Sequence, residues 1–199
     1  MDVTIGKKVF LDIKAVLNKA RLKFWLVDGI ALGAIRSKSI IPYDQDFDLR
    51  VMNGDMDLFK LGERFKKAGF SVKLSINRPL YGELPSGIIL NKNGIKTDMC
   101  VGYYYPPEDV IVVLAGAPRS NYDILPASMF RGNHFADICG VKARIPYPPE
   151  EYLERHYGKD WIFPVKTGSS PPDSKRISLK KYAEYFRTHP KVDYRRAKV

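Results

Sequence analysis

Between residues 7 and 23 the apolar positions Val9, Phe10, Ile13, Val16, Leu17 and Ala20 recur at helical spacing, with Lys8, Asp12, Lys14 and Lys19 off that stripe. This predicts an amphipathic helix with one buried face. Residues 24–27 are a short apolar run that reads as a strand, and they lead into DGIALGAIR, where Gly29 and Gly33 frame a short apolar turn of helix. Pro42 interrupts the chain, and a strand is expected over residues 46–51. A second amphipathic helix is predicted over 55–67, with Leu58, Leu61 and Phe65 on one side and Gly69 just past its end. Residues 70–74 follow as a strand. Residues 87–90 and 95–103 then form a hairpin across Asn91-Lys92-Asn93-Gly94, because Asn-Gly tolerates positive φ. Residues 110–114 are another apolar β run, residues 139–145 a late strand or hairpin arm, and residues 149–157 a short helix opened by proline.

Helix, strand, helix, strand, then mostly strands, then helices: this order predicts a small mixed sheet flanked by helices, an α/β or α+β domain. Gly168-Ser169-Ser170-Pro171-Pro172 breaks the pattern as a linker, and Leu179, Tyr182, Ala183 and Phe186 form one further helical stripe. The expected division is therefore a domain over residues 1–167, with a linker and basic helical tail over 168–199. No internal repeat or low-complexity segment is present.

Composition adds exclusions. The hydrophobic fraction of 45% and charged fraction of 28% are those of an ordinary globular protein. No run of 18 apolar residues exists, and Lys7, Lys8, Asp12 and Lys14 break up any apolar core of a signal peptide, so a cytoplasmic protein is expected. Cys100 and Cys139 read as reduced thiols. The net charge of +11 is concentrated at one end: residues 166–199 hold ten Lys/Arg against Asp173, Glu184 and Asp193, leaving only +4 on the rest. The excess belongs to a tail that is solvated, docked on the body or in peripheral contact with an acidic membrane, and a nucleic-acid partner is not expected.

Chemistry concentrates after Pro42. Side chains alternate along a strand, so Asp46 and Asp48 project to one side while Phe47 and Leu49 turn inward. Two carboxylates held so close repel each other unless a cation sits between them, and hard oxygen donors suit Mg²⁺ or Mn²⁺. A polar strand edge facing water is the plain alternative. Asp44 extends the row as a third ligand or an outer hydrogen-bond acceptor. Upstream, Gly29 and Gly33 either let backbone approach a phosphate or serve tight helix packing. Asp98 stands inside an otherwise apolar β run and needs a partner or a metal; it either completes the cage or acts as general base. Three carboxylates on two strands beside a glycine turn is the layout of polymerase-β-like nucleotidyltransferases.

The stretch FWLVDGIALGAIRSKSIIPYDQDFDLRV resembles the LicD and fukutin family, whose pattern is Gly-x-x-x-Gly with a nearby Arg, then I-P-W/Y-D, then the D-x-D strand. KTDMCVGYYY is similar to that family's later acid-bearing strand, and YLERHYGKDWIFPVKTGSSPP to its fukutin-type ending. The resemblance runs from about Phe24 to Pro172. It implies a Mg²⁺-dependent enzyme that moves a phospho-alcohol, such as phosphocholine or ribitol phosphate, from a CDP-activated donor to a sugar hydroxyl of a glycan. On that resemblance Asp46, Asp48 and Asp98 hold the metal and carry catalysis, and Arg36 grips a phosphate through paired hydrogen bonds. Two positions depart from the pattern. Ile30 stands where relatives often carry Thr or Ser, and Gln45 replaces an acid while pointing away from Asp44 and Asp46. The competing readings are a nucleotidyltransferase placing a nucleoside monophosphate on a small molecule, protein or RNA, and a non-catalytic binding module.

The remaining candidates have weaker signals. Lys96 shares the Asp98 face, where it balances the acids or touches donor phosphate. Trp161 after Tyr157-Gly158 could stack on a base, Lys166 lies in the family-like PVKT, and Trp25 reads as core. His134, His156 and His189 have no zinc spacing, so ordinary placement is expected. The run Tyr103-Tyr104-Tyr105 could line an acceptor platform only at a cleft edge.

Overall fold

The computed structural model describes residues 1–54, 57–76, 84–113, 124–164 and 180–189. The first helix, α1 (Val3–Lys19), begins earlier than its apolar stripe because the Asp2 carboxylate caps it by accepting the Ile5 N–H at 2.9 Å. It stops where Arg21 turns left-handed (φ 56°). Val9, Phe10, Ile13 and Leu17 are its buried positions, as the periodicity predicts. Strand β1 (Phe24–Leu26) leads into α2 (Asp28–Arg36), a full helix rather than the single turn expected, since Ile30, Ala31 and Ala34 bury one side of it. Then come β2 (Asp46–Met52), α3 (Leu58–Lys67, capped by Asp57), β3 (Ser71–Ile76), β4 (Pro85–Lys92) and β5 (Ile95–Tyr105). The β4–β5 hairpin turns on Asn93 and Gly94, both at positive φ (53° and 76°), as the Asn-Gly pair predicts.

Beyond β5 lie β6 (Val110–Val113), β7 (Ile124–Pro126), β8 (Phe135–Ile138), β9 (Val141–Arg144), α4 (Pro149–Tyr157) and α5 (Lys180–Thr188). Strands β7 and β8 were not expected, and Cys139 is not in a strand. Cys139 and Gly140 instead form the β8–β9 turn, both at positive φ. These strands are too short for an alternating pattern to show. The linker expected over 168–172 lies outside the described residues.

The sheet order is β3-β4-β5-β2-β1-β9-β8, with β6 pairing the far half of β5 and β7 pairing β6. The β2–β5 and β1–β9 pairs are parallel and the others antiparallel, so the sheet is mixed. Phe47, Leu49 and Val51 of β2 are buried on one face, where the Phe10 ring of α1 meets Phe24 and Phe47 edge-on. On α3, Leu58, Leu61 and Phe65 are buried, with Phe65 edge-on to Phe70. Fully burying one such aliphatic or aromatic side chain is worth about 1.5–3 kcal/mol, so this layer fixes how β2 sits in the sheet. Trp25 is buried in the core, 2% exposed. Tyr103 and Tyr104 are buried too. The first meets Phe186 of α5 at 4.9 Å, so neither ring is an open platform.

Candidate active site

The parallel β2–β5 register sets Asp46 opposite Lys96, Asp48 opposite Asp98 and Arg50 opposite Cys100. Strand alternation turns all six to one face. One carboxylate oxygen from each of Asp46, Asp48 and Asp98 lies within 4.8 Å of the other two. The Lys96 ammonium donates to Asp98 Oδ2 at 2.6 Å and to Asp46 Oδ2 at 3.2 Å. Asp98 Oδ1 is buried and has no hydrogen-bond partner among the described residues. A buried acceptor left without a donor costs about 1–3 kcal/mol.

The electrostatics are those of a site short of positive charge. Burial pushes the Asp48 carboxyl up to about 8, with the charges of Asp28, Asp46, Asp98 and Asp44 adding to the rise. Burial likewise raises Asp44, against hydrogen bonds from the backbone of Gln45 and Asp46. Burial opposes the charge on Lys96, yet its bonds to Asp98 and Asp46 pull its pKa upward. The next pair along the same face is Arg50 and Cys100. Arg50 is 2% exposed and lies over the Phe130 ring, and burial lifts the Cys100 thiol to about 12, out of the range of a useful nucleophile.

The oxygen set fits a small hard cation: three carboxylates converge, one buried oxygen has no donor, and a single lysine offsets them.

The glycines of α2 are packing positions. A Cβ on Gly29 would stand 2.1 Å from Asp44 Oδ2, and one on Gly33 would stand 2.4 Å from the Ser39 carbonyl. Gly29 thus admits the Asp44 carboxylate against the first turn of α2. Ile30 is buried, so its departure from Thr or Ser falls in the core. Arg36 lies at the other end of α2 and donates to the Tyr43 hydroxyl at 3.2 Å. Trp161 is half-buried against the core after α4, and Lys166 lies outside the described residues.

The structure also brings in residues that the sequence reading missed. Asp28 opens α2 at φ 51°, a left-handed conformation uncommon outside glycine. The Tyr152 hydroxyl donates to its Oδ1 at 2.8 Å and accepts its N–H at 3.0 Å, and His156 Nε2 lies 3.3 Å from the same oxygen. An acid just before a Gly-x-x-x-Gly at a strand–helix junction was visible in the sequence. Its partners, more than a hundred residues away, were not.

Residues 21–81, from the end of α1 past β3, match the family described as "LicD/FKTN/FKRP, nucleotidyltransferase domain". Over this stretch the chain is LicD/fukutin-like. It is 29% identical over 177 residues to human Ribitol-5-phosphate transferase FKTN and 30% identical over 178 residues to the mouse protein, covering 83% of this chain in each case. The chain spans only 36% of the length of those curated relatives. The solution structure of the antibiotic-resistance factor ANT(2'')-Ia has a similar fold, with a TM-score of 0.51 at 18% identity over 97% of this chain and 90% of that one. The mixed sheet with flanking helices in this LicD/fukutin-like chain is thus of nucleotidyltransferase type. Among the described residues, no helix is long and apolar enough to cross a membrane.

Proposed function

We propose that this chain is a Mg²⁺-dependent transferase that moves a phosphorylated alcohol, of the ribitol-phosphate or phosphocholine kind, from a CDP-activated donor to a sugar hydroxyl of a glycan. The observation that carries the reading is the convergence of Asp46, Asp48 and Asp98 in a chain related along 83% of its length to a ribitol-5-phosphate transferase. Asp46, Asp48 and Asp98 would hold the cation. When bound, it would neutralise charge developing on the phosphorus oxygens.

The chain's own side chains do the rest. Lys96, fixed between Asp46 and Asp98, keeps a positive charge on the acid-bearing face. Arg50, buried one step along the same face and lying over the Phe130 ring, sets a second positive charge beside the acid pair of Asp48 and Asp98. Arg36 has the planar donor fork that suits a phosphate, and it is a candidate donor contact together with Trp161 and Lys166. The transfer itself asks for alignment and charge stabilisation more than for covalent chemistry.

The test is to incubate the purified chain with CDP-ribitol, CDP-choline, CDP-glycerol and nucleoside triphosphates, each with and without Mg²⁺ and a sugar acceptor. CMP released only with Mg²⁺ and acceptor is the expected result. Pyrophosphate from the triphosphates, without CMP from any CDP-alcohol, would replace this reading with nucleotidyl transfer.

A further inference from the structure

The acid cluster has a fourth member that the metal does not need. Asp28 lies outside the set of Asp46, Asp48 and Asp98 oxygens that converge within 4.8 Å. Its chain neighbours nonetheless fix it at the rim of that set. The Val27 N–H donates to the Asp48 carbonyl at 3.1 Å, and Gly29 lies against the Asp44 carboxylate.

Asp28 is held unusually firmly for a partly exposed acid. Tyr152, fully buried on α4, exchanges two hydrogen bonds with it, one to its side chain and one from its backbone. His156, one helical turn further on, approaches the same Oδ1, and its ring stacks parallel to that of Tyr152. Both contacts fall on Oδ1. Oδ2 makes no hydrogen bond within the described residues, while the side chain remains 24% exposed. One oxygen is clamped and the other is available, in a left-handed backbone that a helix start does not require. A hydroxyl that attacks phosphorus beside the three metal-binding acids needs such an acceptor for its proton.

We propose that Asp28 accepts the hydrogen bond, and then the proton, of the attacking acceptor hydroxyl, and that Tyr152 and His156 position it. The acceptor oxygen forms its bond to the donor phosphorus, the bond from phosphorus to the leaving nucleotide breaks, and the hydroxyl proton passes to Asp28 Oδ2. The inference rests on the transfer reaction proposed above and gives Asp98 over to the metal.

The experiment compares the unmodified chain with Asp28→Asn, Tyr152→Phe and His156→Gln. It measures Mn²⁺ affinity, the donor-induced rise in melting temperature, and kcat and KM for whichever transfer the chain performs. Asp28→Asn should lower kcat by roughly 100-fold or more while Mn²⁺ affinity and the donor shift stay unchanged. Tyr152→Phe and His156→Gln should lower kcat by about 10-fold with donor KM unchanged. If Asp28→Asn fails to fold, that pattern in the other two carries the inference, and normal kcat in both overturns it. Loss of Mn²⁺ affinity in Asp28→Asn would make Asp28 a ligand and overturn it as well. Full activity in Asp28→Asn overturns this inference while CMP release by the unmodified chain leaves the proposed function standing. Pyrophosphate release in place of CMP overturns that function, and Asp28 is then judged on nucleotidyl transfer. An unmodified chain silent with every donor overturns both.

Discussion

Two charged clusters sit at opposite ends of β5 and are built in opposite ways. At the start of the strand, Asp98 joins Asp46 and Asp48 with one lysine among them, one buried oxygen lacks a donor, and the Asp48 carboxyl is pushed up to about 8 by burial and by its acidic neighbours. At the end of the strand, Asp109 is matched. Arg131 bonds both of its oxygens, the Tyr104 hydroxyl donates to it at 2.8 Å, and these bonds, Arg131's above all, hold its carboxyl below the usual range. The guanidinium also lies over the Tyr104 ring. A cluster that satisfies itself is a fastening. One that leaves charge and a lone pair unanswered is waiting for something from outside the chain.

The largest effect should come from the open cluster. Asp48→Asn or Asp98→Asn should lower the proposed Mg²⁺-dependent transfer by roughly 10²–10³-fold or more, measured as CMP release. Above about pH 8, where the Asp48 carboxyl is ionised, the same Asp48→Asn should raise the melting temperature of the metal-free chain, because it removes a repelled charge, whereas Asp109→Asn should lower it. A fall for both would break the comparison.

Next comes pH. A carboxyl whose folded pKa exceeds its unfolded value binds its proton more tightly when folded. The Asp48 contribution to metal-free stability should therefore grow as pH falls from about 8 toward the unfolded value of 3.8. Mg²⁺ held at the proposed site would shrink that gain, because it would compete with the proton for the same oxygens. Melting curves across this range, with and without Mg²⁺, read it directly. Asp109 has the opposite sign. Its depressed pKa gives stability above the unfolded value, lost as pH falls through the folded one.

The smallest effect is that of Arg131→Ala. Its partner is about half exposed, so at neutral pH the loss should be about 0.5–1 kcal/mol in denaturant unfolding, with transfer unchanged.

Much of the molecule was legible because its patterns are local. The stripe of α1, the Asn-Gly turn between β4 and β5, and the alternation that puts Asp46 and Asp48 on one face each depend on a few adjacent residues. Asp98 was visible as an acid in an apolar strand, and pairing across the register supplied what it faces. The strands β7 and β8 were not legible, since three or four residues carry no period. Nor was the partnership of Asp28 with Tyr152 and His156: a buried tyrosine on α4 reads as core until the fold brings its hydroxyl to another element. The glycines were read either as room for a phosphate or as tight helix packing. The room at Gly29 is taken by Asp44, a contact between side chain and backbone that sequence spacing does not encode.

The parallel pairing of β2 with β5 also sets a schedule. The two halves of the acid cluster are separated in the chain by α3, β3 and β4, and no local turn can join parallel neighbours. As the chain leaves the ribosome, Asp46 and Asp48 emerge well before the strand that will face them. A nascent chain that ends before Lys96 has two of the acids and neither the third nor the lysine that tempers them. The three acids and their lysine are therefore brought together only when β5 pairs with β2, the step that also completes the centre of the sheet.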